Sequence, residues 1–299
     1  MNDEQQRTKQ GVFLALGAYT MWGIAPIYFK AIDQVSPLEI LSHRVIWSFF
    51  FLAGLLFLSK GWRSVADTLA SKKKVLCLLV TSTLVGFNWL IFIWAVTSDH
   101  LLDASLGYYI NPLLNVVLGM LFLGERLRKL QWLAVSFAAI GVIIQIITFG
   151  SVPTVALALA VSFGLYGLLR KKVNLSAQAG LFIETLMMLP LAMIYLLLIA
   201  DSPSSNLMLN NASLNVLLIA AGIVTTLPLL CFTGAATRLK LSTLGFFQYL
   251  GPSIMFIFAV TIYNEAFTSD KITTFSFIWG ALVIFIFDAL QHRYRRRKQ

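Results

Sequence analysis

The sequence predicts an all-α polytopic membrane protein with ten transmembrane helices, built as two inverted five-helix repeats. Three observations predict it: a composition too apolar for a soluble domain, basic residues confined to alternate loops, and an internal repeat at a fixed offset. Of 299 residues, 58% are hydrophobic and 12% charged, and the mean hydropathy is +0.80. A soluble domain carries about 25% charged residues.

A spanning helix needs roughly 20 mostly apolar residues. Runs of that kind fall at 11–30, 38–58, 75–96, 102–123, 130–148, 152–170, 177–200, 213–236, 243–263 and 272–290. The first is expected to stay as a span, because Asp3 and Glu4 offset Arg7 and Lys9 and no small-residue cleavage site follows it. The second opens EILSHRVIWSFFF and carries Glu39, His43 and Arg44 in its first third. A charge deep in a bilayer costs about 2.5 to 3.5 kcal/mol on insertion scales, so Arg44 calls for a reason. The third holds Asn88 and Trp89 in mid-span, and Pro228 is the counterpart of Asn88 in the eighth. Trp22, Tyr28 and Tyr166 are candidate aromatic walls for a planar or cationic ligand, or interface anchors.

The fourth and ninth spans are interrupted by LGYYINP at 106–112 and LGFFQYLGP at 244–252. Proline frees a carbonyl that must find another partner or line a cavity, which makes this pair the first candidate for a transport pathway. Tyr108, Asn111 and Asn115 recur at i, i+3 and i+7 on one face of the fourth helix. That face lines the pathway or bonds neighbouring helices. The matching positions of the ninth are Gln248, Gly251 and Met255, and Tyr249 matches Tyr109.

Charge fixes the expected topology. Arg7 and Lys9, the 60–74 cluster, Arg126, Arg128 and Lys129, Arg170 to Lys172, Arg238 and Lys240, and the tail RYRRRKQ all fall on one side, and Lys271 alone on the other. By the positive-inside rule both termini are cytoplasmic. The basic tail then reads as a topology anchor rather than a nucleic-acid site, since no aromatic-interleaved basic domain accompanies it.

The repeat has an offset of 140 residues: Tyr109 meets Tyr249, Pro112 meets Pro252, and Glu125 meets Glu265. In the first helix of each half it becomes 144, pairing Trp22-Gly23 with Tyr166-Gly167. Five helices per half is an odd number, so the second half enters the membrane from the opposite side. The domains expected are 11–148, an inverted 152–290, and a basic cytoplasmic tail 291–299. Glu125 and Glu265 are expected as helix-end contacts. At the same offset Arg44 maps onto Glu184, and each lies about seven residues from its own helix start, on opposite membrane faces. The two are therefore expected about 10 Å apart in depth. Arg44 is expected to face a central cavity and hold an anionic or carbonyl group of a substrate, or to engage Glu184 through water or in one access state. A static structural pair or snorkelling of Arg44 to the interface is the other reading.

Other chemistry finds little support. Cys77 and Cys231 stand apart without CxxC spacing, no GxxxxGK[ST] run occurs, and the three histidines form no HExxH. Glu39 and His43 share a helical face but lack further ligands, so neither metal nor cofactor is expected. The partners expected are a small-molecule substrate and membrane lipid, with no nucleic acid and no soluble partner. Inverted repeats point to a secondary transporter with alternating access and a midplane site. An intramembrane enzyme or a non-transporting receptor or scaffold are the alternatives.

The runs AYTMWGIAPIYFK, SPLEILSHRVIWSFFF, ASLGYYINPLLNVVLGMLFLGERL, SFGLYGLLRKK and LSTLGFFQYLGP resemble the RarD branch of the drug/metabolite transporter superfamily, whose repeat unit is the EamA domain. The resemblance covers nearly the whole chain. It implies a ten-helix bacterial inner-membrane permease, a basket of two inverted repeats around a cavity, and substrates of the chloramphenicol type. It carries no binding motif over residue by residue, so the site residues rest on the reasoning above.

Overall fold

A computed structural model of the chain describes residues 3–97, 101–150, 154–202, 204, 207–261 and 269–298. Its helices in order are α1 (Asp3–Lys30), α2 (Pro37–Leu58), α3 (Trp62–Leu69), α4 (Lys72–Thr97), α5 (Leu101–Leu123), α6 (Lys129–Phe149) and α7 (Thr154–Val173), then α8 (Ala177–Ile194), α9 (Ala212–Ala236), α10 (Leu241–Gln248), α11 (Leu250–Thr261) and α12 (Ser269–Lys298). Among the described residues, ten stretches are long and apolar enough to cross a membrane, the ninth lying in α10 and α11.

The helix boundaries follow local chemistry. Pro37 opens α2, where its missing N–H costs nothing. The Asn211 side chain accepts from Leu214 N at 2.8 Å and caps α9. Gly150 closes α6 with φ 75, a conformation glycine takes without a steric penalty. Tyr249 separates α10 from α11, so the ninth span is broken where its Gly/Pro segment predicted. The fourth is not: α5 runs through Pro112.

After α2, α3 forms a short helix that buries Val65 and leaves Trp62 and Leu69 exposed. Through the basic residues at 291–298, α12 continues as helix to Lys298. Glu265 lies outside the described residues.

Polarity is arranged inside out. Phe57, Leu121, Ile147 and Leu198 are exposed, while Arg44, Asn111, Asn115 and Glu184 are buried, as a lipid-facing surface requires. The helix contacts cross between the two sequence halves in matched pairs. The first span packs on the eighth (α1 on α9) as the third packs on the sixth (α4 on α7). The second packs on the eighth (α2 on α9) as the third packs on the seventh (α4 on α8). The fourth packs on the sixth (α5 on α7) as the first packs on the ninth (α1 on α11). The contacts α2–α8, α5–α10 and α6–α12 join equivalent spans. The α2–α9 contact is tight: a Cβ on Gly222 would come within 2.6 Å of Trp47 Cβ, so only glycine allows this approach.

Candidate functional site

At the meeting of α2, α4, α8 and α9 lies a cavity of about 10 Å³, room for about one water. Ser48, Trp89, Glu184, Thr185, Thr225 and Thr226 supply its polar and aromatic wall, and leucines with Val85 and Met188 the remainder. Its volume admits nothing larger than water.

Arg44 stands beside it. Its side chain is 6% exposed, and Nε donates to Thr225 Oγ1 at 2.7 Å. The guanidinium carbon lies 4.6 Å from the Trp89 ring centre and 5.4 Å from that of Phe29. The Tyr28 and Tyr108 phenols lie within electrostatic range. The fixed α2–α9 contact holds this arrangement, and Ser48 donates to the Gly222 carbonyl at 3.2 Å one turn further along α2.

Glu184 occupies the opposite wall and does not touch Arg44. Its Oε1 accepts from Thr81 at 2.5 Å, its Oε2 from Tyr166 at 3.3 Å, and its cation is Arg170, with Nη1 at 3.7 Å from Oε1. Thr225 joins Arg44 to one wall of the cavity, and Glu184 lines another. Arg170, counted with the loop charges, is a buried residue of α7. It lies over Gly180 of α8, where a Cβ would fall 2.7 Å from its guanidinium carbon.

Tyr166 joins this group to an aromatic cluster. Its ring lies 6.1 Å from Phe232, and Trp22 lies 5.8 Å from Phe232 and 5.6 Å from Phe163. Trp22 therefore packs behind the cavity rather than on it. Thr81 and Thr225 were missed from sequence because a threonine in an apolar helix ordinarily bonds its own preceding turn.

The amide stripe forms a second polar group, away from the cavity. Asn111 donates to the Ala160 carbonyl at 2.8 Å, and Asn115 donates to Asn111 at 2.9 Å and to Gln248 at 3.1 Å. Asn88 donates to the Leu159 carbonyl and to Ser162. These bonds tie α5 to α7 and α10, and α4 to α7. Tyr249 donates to the Tyr109 carbonyl at 3.3 Å between the two matched helices. Tyr108 lies elsewhere, with its ring centre 5.9 Å from that of Phe92 and with Arg44 in electrostatic range.

At one end of the bundle the halves are clamped. Glu125 accepts from Leu241 N at 2.6 Å, Ser242 N at 3.0 Å and Ser242 Oγ at 2.7 Å. Its carboxylate thus caps α10, where the helix dipole favours negative charge. At the same end Arg128 forms a bidentate pair with Asp288 of α12.

The profile of the EamA-like transporter family matches residues 9–147. An uncharacterized transporter of Vibrio cholerae is 66% identical, over 100% of this chain and 99% of its own. Protein RarD of Escherichia coli is 57% identical, over 99% of this chain and 100% of its own. One crystal structure shares the fold with a TM-score of 0.72 at 16% identity, covering 92% of this chain and 96% of that one.

Proposed function

Because this chain belongs to the RarD branch of the EamA-like transporter family, we propose that it is an inner-membrane secondary transporter that exports a small metabolite or drug by alternating access. The observation that carries this reading is the small cavity among spans of both halves, with Thr225 of its wall bonded to the buried Arg44. Both termini face the cytoplasm, and the halves 11–148 and 152–290 are inverted copies. The matched helix contacts support the second statement, since exchanging the two halves turns each contact pair into its counterpart. Arg44 engages an anionic or carbonyl group of the substrate, with Tyr108 and Trp89 beside it. Chloramphenicol-type compounds are the substrates the resemblance suggests. An enzyme or a receptor would leave the duplication without a use.

Alternating access needs the clamp at one end to break while the other closes. The Glu125 cap on α10 and the break at Tyr249 place a releasable bond and a hinge on one span. The test is reconstitution of the purified protein in liposomes, with a screen of metabolites and drugs including chloramphenicol, repeated under an imposed proton gradient. Saturable, protein-dependent flux of at least one compound is expected. Flux no faster than in protein-free liposomes across the screen overturns the reading.

A further inference from the structure

Two arginines are buried among the described residues, Arg44 and Arg170. Arg170 has Glu184. Arg44 is 6% exposed and has no carboxylate partner among the described residues. Its nearest acid on α2, Glu39, accepts from Ser204 at 2.5 Å. Glu184 is held on the far wall by Thr81, Tyr166 and Arg170. Trp89 and Phe29 stabilise the positive charge without neutralising it. The hydrogen bond to Thr225 uses Nε, which leaves the terminal nitrogens as donors. Tyr108, whose phenol lies in electrostatic range of Arg44, makes no hydrogen bond to the described residues.

We propose that Arg44 and Tyr108 form a recognition site for a carboxylate, so that the transported compounds are small organic monoanions. This rests on the transporter reading and narrows it. A neutral carbonyl would leave the buried positive charge uncompensated, which is the costly state of a buried pair. A carboxylate supplies one negative charge for one cation and takes two guanidinium donors in a fork, the geometry arginine is suited to. A phosphate dianion would carry a second charge into a wall of Trp89, Phe29 and Phe92. The substrate body then lies against those aromatic rings, toward the cavity wall formed by Thr225 and Trp89.

The experiment is thermal melting of the purified protein in detergent at neutral pH. The probes are acetate, lactate, benzoate and 3-phenylpropionate, the amide of each, chloramphenicol as an uncharged drug, and inorganic phosphate. At least one carboxylate is expected to raise the melting temperature where its amide does not. Arg44→Gln should weaken that response about tenfold or more, Arg44→Lys should weaken it less, and Tyr108→Phe a few-fold, as expected when charge-assisted bonds are lost. The last two variants keep the test open should Arg44→Gln fold poorly. Equal response to amides or chloramphenicol, response to phosphate in place of carboxylates, response unchanged in the Arg44 variants, or no response to any carboxylate overturns the proposal. Liposome flux of an uncharged compound alongside any of these would leave the transporter reading standing and remove the carboxylate site alone.

Discussion

The carboxylate of Glu184 stands 3.7 Å from the guanidinium of Arg170, with side chains 1% and 2% exposed. The bond is loose for an ion pair, and Arg170 Nε and Nη1 lack hydrogen-bond partners. Removing one member of a buried pair leaves an uncompensated charge, at a cost of about 3–5 kcal/mol, whereas replacing both with apolar groups is often neutral. Glu184→Leu and Arg170→Leu should each lower the melting temperature in detergent, and the double variant should recover most of the loss. Additive losses in the double variant would mean the two side chains act independently.

Gly180 gives that pair its room. A Cβ there would overlap the Arg170 guanidinium, so Gly180→Ala should destabilise the protein despite the better helix propensity of alanine, worth about 1 kcal/mol. On an Arg170→Leu background the same change should be neutral or stabilising. Thermal melting of the four proteins reads the coupling, and an equal effect of Gly180→Ala on both backgrounds would remove the steric explanation.

The amide stripe and Tyr108 share a helix but not an environment. Asn111, Asn115 and Gln248 are buried and bonded across helices, while Tyr108 is partly exposed, with its ring 5.9 Å from that of Phe92. Single cysteines at the three amide positions, with Cys77 and Cys231 replaced, should resist a small water-soluble thiol reagent. A cysteine at Tyr108 should react, and substrate should slow it. Labelling of the amide positions at the rate of loop controls would return them to the pathway.

Topology follows from the charge asymmetry. Reporter fusions after Gln34, Ser204 and Ser269 should report the periplasm, and those after Ala70, Lys172 and the C-terminus the cytoplasm. A cytoplasmic signal at Ser204 would break the inversion of the second half.

The sequence made the spans and the broken ninth helix legible because both are local: apolar length sets a span, and the Tyr249–Pro252 stretch sets the break. It also marked Arg44 and Glu184, since a charge in hydrocarbon is costly wherever it lies. It could not tell what each charge meets. Arg170 reads as a loop residue in RKK, and only the missing side chain at Gly180 lets it turn back toward Glu184. The amide stripe showed its shared face but not what that face touches, because pathway lining and interhelical bonding require the same pattern. Trp62 and Leu69 carry too short an apolar face for α3 to stand out from a loop.

If Arg44 recognises the transported compound, flux in proteoliposomes depends on its charge. For a substrate found in the liposome screen, Arg44→Gln should insert and melt like a folded protein yet lose about tenfold or more in apparent affinity, with Arg44→Lys intermediate. Flux by well-inserted Arg44→Gln at the unaltered affinity and rate would contradict the account.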